Sequence, residues 1–167
     1  MEMEHLPHQC NLRKGRFSDA GRAYFITKCT FHDVSLIGDQ NLSESLINTL
    51  FWMDSKDRLG LGAFVIMPDH YHMVIILKNN QSLDQTMKSI SSFSSKEINR
   101  LVVRSGQFWQ RGYFDRAIRK SEDIRVVFDY VHNNPVRRRL VERAEDWRHS
   151  SLNQKYYRKI RWDLFMY

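Results

Sequence analysis

Cysteine is nearly absent from this chain: its 167 residues include only Cys10 and Cys29, and no CxxC pair. A disulfide framework and a cysteine-based zinc finger are thereby excluded, and the usage suits a reducing cytoplasm, where we expect the chain to work. Proline (three) and glycine (seven) are sparse as well. No low-complexity tract, repeat or long Gly/Ser/Pro linker interrupts the sequence, so we expect one domain over residues 1–167. No apolar run reaches the roughly 18 residues of a membrane span. The opening Met1-Glu-Met-Glu-His-Leu-Pro-His8 lacks the basic and apolar regions of a signal peptide, which argues against export and against a membrane partner.

What is abundant is positive charge. The formal net charge is +7 and the pI is near 9.6, so a polyanion is the natural partner, nucleic acid being the commonest for a soluble basic protein. Arg13, Lys14, Arg16 and Arg22 lie in a lead-in over residues 1–22 that we expect to be irregular, Arg111 in an aromatic run, and Arg137, Arg138 and Arg139 in one cluster. A basic aromatic tail over residues 147–167 interleaves Arg148, Lys155, Arg158, Lys159 and Arg161 with Trp147, Tyr156, Tyr157 and Trp162. Basic residues track phosphates while aromatics stack on unpaired bases, which fits single strands or the foot of a hairpin. A solvated charged surface is the plain alternative.

Periodicity gives the elements. Residues 23–31, with Tyr24, Phe25, Ile26 and Thr27, read as a strand. Leu42, Leu46, Ile47, Leu50 and Phe51 make one face of a helix over 41–58. A second strand covers 61–67, the turn residues Pro68 and Asp69 follow, and a third strand starts at His70. Residues 82–101 have helical spacing, the aromatic run 108–118 is expected as a fourth strand, and a last helix begins at the N-cap candidate Ser121 and exits at Pro135.

Two features in this pattern carry chemistry. His70 and His72 stand at i and i+2 of a strand, hence on one face with Cβ atoms roughly 6–7 Å apart, close enough to share a metal ion. By itself such a pair is more often structural than metal-binding. On the last helix, Ile124, Val127, Phe128 and Val131 form an apolar face, with Tyr130 and Asn134 within about 40° of each other at one edge. His132 falls about 160° from Tyr130, on the opposite edge. Taken alone, Tyr130 is a half-buried helix tyrosine and Asn134-Pro135 is ordinary helix-exit chemistry.

Met67-Pro-Asp-His-Tyr-His-Met-Val74, Phe108-Trp-Gln-Arg-Gly-Tyr-Phe-Asp-Arg-Ala-Ile-Arg119 and Asp129-Tyr-Val-His-Asn-Asn-Pro-Val136, in that order, resemble the REP-associated tyrosine transposases. These belong to the single-tyrosine branch of the HUH endonucleases, related to the IS200/IS605 type. The resemblance spans roughly residues 11–150 and rests on the co-occurrence of three motifs. It implies a divalent ion, Mg²⁺ or Mn²⁺, on His70, His72 and Asn134, with Tyr130 as the nucleophile that forms a 5′-phosphotyrosine on single-stranded or hairpin DNA. It also implies DNA contacts from the basic lead-in, and it leaves homodimer and monomer both open. Asp69 departs from the asparagine common at that place and is a candidate to orient a histidine.

The order strand, helix, strand, strand, helix, strand, helix predicts an α+β fold, a ferredoxin-like sandwich whose antiparallel sheet has the histidine strand at its centre. The tyrosine helix is then expected over the face shared by His70, His72, Val74 and Ile76, with Tyr71, Met73 and Ile75 on the other. A histidine-triad hydrolase is excluded because the next alternate position is Val74. The rival in another class is a domesticated module that binds single-stranded nucleic acid without cutting it.

Overall fold

The computed structural model describes residues 20–31, 35–36, 40–78, 81–119 and 123–166. Four strands form one antiparallel sheet: β1 (Ala23–Cys29), β2 (Leu59–Ile66), β3 (His70–Leu77) and β4 (Phe114–Ala117), in the order β2-β3-β1-β4. With α1 (Gln40–Ser55) after β1 and α2 (Leu83–Leu101) after β3, the sequence is βαββαβ, the ferredoxin-like arrangement expected.

The alternation of β3 separates two cores. Tyr71, Met73 and Ile75 face Leu42, Leu46, Leu50, Met87 and Ile90 of the two long helices. Val74 and Ile76 face the opposite way, onto Val127, Phe128 and Val131 of α3 (Ile124–His132). β3 is buried along its whole length, which is why its central run is apolar on both faces. α2 starts where its sequence says it should: the Ser82 side chain accepts from the Gln85 amide while the Gln85 side chain accepts from the Ser82 amide, a capping box.

Three boundaries differ from expectation. The fourth strand is four residues rather than eleven. Lys28 Nζ donates to the carbonyls of Gln110 and Gly112 at 2.6 Å each, holding that stretch off the ladder, and Gly112 sits at φ 75°, where a glycine turns the chain. Trp109 keeps one bridge to Thr30. β2 begins two residues early, at Leu59, and is irregular between Leu61 and Phe64. Pro135 does not end the helical path: α3 stops at His132, and Pro135 lies in the first turn of a short helix, α4 (Asn134–Arg137), where its missing N–H costs nothing. Asp123 caps α3 through the Arg125 amide, and Ser121 lies outside the described residues.

The stretch after Arg139 is woven into the fold. Ser150 bridges to Val65, the Ile66 amide donates to His149 O, the Ser151 amide donates to Phe64 O, and Trp147 Nε1 donates to Ile66 O. These bonds cover the outer edge of β2. α5 (Gln154–Tyr157) and the turn Trp162–Phe165 follow. Trp147, Tyr156 and Phe165 are buried, so these rings serve the core. Among the described residues no helix is long and apolar enough to cross a membrane.

Candidate active site

His70 and His72 open β3 on the face beneath α3, each about 6% exposed, so their surroundings rather than water set their state. In the ladder Thr27 pairs with His72 and Cys29 with His70. His70 Nδ1 lies 2.7 Å from Asp69 Oδ1; a carboxylate can only accept, so Nδ1 carries a proton, and whenever the ring is neutral the lone pair is on Nε2. His72 Nδ1 lies 2.8 Å from Thr27 Oγ1. Both Nε2 atoms are thereby aimed at one point, 3.1 Å from each other. Phe25, two residues before Thr27, stacks on the His72 ring at 5.3 Å.

Burial pushes the His72 pKa well below its ordinary value, with the charges of His70 and Arg138 acting in the same direction and Asp69 against. It is therefore a neutral imidazole at neutral pH, the form that ligates metals. The hydrogen bond from His70 holds the Asp69 carboxyl well below the usual carboxylate range, burial opposes this, and the nearby positive charges of His70 and Arg138 add to it.

A metal ion fits this pair. Two nitrogens bound to one ion at about 2.1 Å and about 90° apart stand roughly 3 Å from each other, close to the separation here. Each ring's far nitrogen has an orienting partner, as metal-bound histidines require. Among the described residues no three His, Cys, Asp or Glu side chains form a metal-sized cluster. Among the described residues a third protein ligand would thus be of another type, and Asn134, buried at the start of α4, has the donor chemistry.

α3 brings Tyr130 to the pair. Its ring centroid is 5.9 Å from that of His72 and 5.7 Å from Phe25, meeting Phe25 edge-on. The Arg137 guanidinium stands over the Tyr130 ring at 5.0 Å, and Arg138 Nη1 reaches Asp69 Oδ1 at 3.2 Å. His132 is directed elsewhere, its Nε2 2.7 Å from Ser151 Oγ, as the helical wheel requires.

The structure thus gathers His70, His72, Tyr130, Asp69, Arg137 and Arg138 and leaves other candidates apart. Arg22, Arg111 and Arg139 are exposed, and Arg13, Lys14 and Arg16 lie outside the described residues. Arg137 and Arg138, expected on the DNA, touch a tyrosine ring and a carboxylate within the site. Sequence reading missed Thr27 and Phe25. Their i, i+2 spacing put them on one face of β1, but only the register against β3 shows that the face is the histidine face.

A βαββαβ sheet with a histidine pair beneath a helix tyrosine points to the tyrosine transposases as the class. The chain belongs to the family described as Transposase IS200 like, whose model matches residues 24–134, more than half of it; transposases are enzymes that cut and rejoin DNA. It is similar to a protein of Haemophilus influenzae assigned as a REP-associated tyrosine transposase, 30% identical over 105 residues, which cover 55% of this chain and 58% of that one. The chain therefore spans under two-thirds of that relative. The REP-associated tyrosine transposase of Escherichia coli K12 is 27% identical over 147 residues, 80% of this chain and 82% of that one. In fold it is similar to a REP-associated tyrosine transposase solved bound to a REP hairpin, with a TM-score of 0.69 and 20% identity over 91% of this chain and 88% of that one.

Proposed function

We propose that this chain is a metal-dependent single-strand DNA endonuclease and strand transferase acting at hairpin-forming repeat DNA. The observation that carries the reading is the placement of the Tyr130 ring 5.9 Å from His72, whose Nε2 faces that of His70 at 3.1 Å. The names of its relatives favour a REP hairpin as the substrate.

His70, His72 and Asn134 would hold the ion. When bound, it supplies Lewis-acid polarisation of the scissile phosphate. Imidazole and amide ligands suit Mn²⁺, while Mg²⁺ prefers an oxygen shell. Tyr130 Oη attacks phosphorus, forming an O–P bond as the P–O3′ bond breaks; the phenol loses its proton and the departing 3′ oxygen gains one. The 5′-phosphotyrosine conserves the energy of the broken bond, so a free 3′ hydroxyl can reverse the step on another strand. Phe25 at its edge and Arg137 on its face restrict the Tyr130 ring, which lowers the entropic cost of attack. Exposed Arg111, Arg137 and Arg139 would supply phosphate contacts, and the buried histidine pair would keep bulk water from one side of the reacting centre.

The test is to incubate labelled hairpin DNA from beside the gene with the protein and Mn²⁺ or Mg²⁺. A covalent, denaturant-resistant adduct that disappears in Tyr130→Phe is expected. Tight binding with no adduct under either ion would replace this reading with that of a non-cutting binding module.

A further inference from the structure

We infer that Thr27 is a positioning residue for the metal, fixing which nitrogen of His72 carries the proton. The inference rests on the metal-binding reading of His70 and His72 and extends it to a strand that no motif identifies.

The two histidines have different partners. His70 is held by a carboxylate, which accepts only one tautomer. His72 is held by a hydroxyl at 2.8 Å, and a hydroxyl serves either tautomer, donating to a bare Nδ1 or accepting from a protonated one. If His72 carries its proton on Nε2, that proton points at His70 Nε2, 3.1 Å away, into the place an ion would occupy. If the proton is on Nδ1, both Nε2 lone pairs converge and the site can ligate. Ligation therefore requires the Nδ1–H tautomer, and Thr27 Oγ1 is the acceptor within reach that stabilises it.

The surroundings make this contact consequential. Thr27 is 4% exposed and His72 6%, so water is a poor substitute for the hydroxyl. Thr27 is the cross-strand partner of His72, which holds Oγ1 in place through the backbone ladder. The Phe25 stack keeps the imidazole from rotating away. Without the hydroxyl, the hydrogen bond to His70 Nε2 favours the Nε2–H tautomer, and ligation must then work against it.

The experiment compares wild type, Thr27→Ser and Thr27→Val for Mn²⁺ binding by titration calorimetry. Histidine-ring ¹⁵N spectra, with Zn²⁺ as the diamagnetic probe, report the tautomer. Valine keeps the shape and removes the hydroxyl; serine keeps the hydroxyl. Thr27→Val is expected to weaken Mn²⁺ binding by roughly tenfold or more, with Thr27→Ser close to wild type. The Zn²⁺-loaded wild type should show His72 as Nδ1–H. Mn²⁺ binding to Thr27→Val equal to wild type would overturn the role of Thr27 alone, as would equal losses in Ser and Val variants accompanied by equal losses in thermal midpoint. A wild type that binds no Mn²⁺ would overturn the metal reading itself.

Discussion

His132 offers a quantitative check on how α3 is seated. The ring is 6% exposed, bonded to Ser151 Oγ and set edge-on to Trp162 at 6.2 Å. Burial lowers its pKa from 6.5 to about 4, with the charge of Glu145 in slight opposition. The unfolded chain therefore takes up a proton near pH 6.5 that the folded chain refuses until about pH 4. The contribution of His132 is complete above the first value and drains away as pH falls toward the second. At about 1.4 kcal/mol per tenfold change in proton affinity, the loss reaches about 1.4 kcal/mol by pH 5.5 and about 3 kcal/mol by pH 4. The assay is urea unfolding of wild type and His132→Gln across that range. Acid effects from other groups, such as His149, whose pKa burial also lowers to about 4, are common to both proteins and cancel in the difference. The stability gap between the two proteins should shift against wild type by about 3 kcal/mol on going from neutral pH to pH 4. Parallel curves would refute the claim that His132 is held neutral on the buried side of the tyrosine helix.

Three further perturbations follow from contacts already described. A Cβ on Gly62 would stand 2.8 Å from Phe165 Cζ, so Gly62→Ala should destabilise by about 1–3 kcal/mol in chemical denaturation. Adding Phe165→Leu should recover part of that loss. Ser82→Ala removes one half of the capping box of α2 and should cost about 1 kcal/mol, with faster amide exchange confined to the first turn. Arg138→Ala breaks an ion pair whose side chains are 49% and 53% exposed, and should change the thermal stability by less than about 1 kcal/mol; a larger fall would mean that the pair clamps α4 to the histidine turn.

How much of this was legible in the sequence depends on the range of the interaction. Local rules placed the start of β3 at His70, a helix from about residue 82 and the apolar stripe of α3. The two-residue period of β3 was enough to put Val74 and Ile76 under that stripe and Tyr71 and Met73 away from it. Local rules failed where a distant group intervened. The run 108–118 has strand composition throughout, yet Lys28, some eighty positions earlier, draws in the carbonyls of Gln110 and Gly112 and leaves only Phe114–Ala117 on the ladder. Trp109, within that run, donates its Nε1–H to Ser94 Oγ and is buried. Thr27 meets His72 only because β1 and β3 adopt one register out of several, and no motif encodes a register. The basic residues 148–161 read as a tail because nothing nearby announces that Ser150 and Ser151 pair with β2.

That pairing also sets an order of events in time. A chain is made from its N-terminus, so both histidines and Tyr130 leave the ribosome before Ser151 does. Until Ser151 arrives, the edge of β2 has no cover and His132 has no hydroxyl to bind, and the helix bearing the tyrosine lacks one of its moorings. A product truncated before Ser151 would hold every residue proposed for strand cleavage without the fastening that seats the nucleophile.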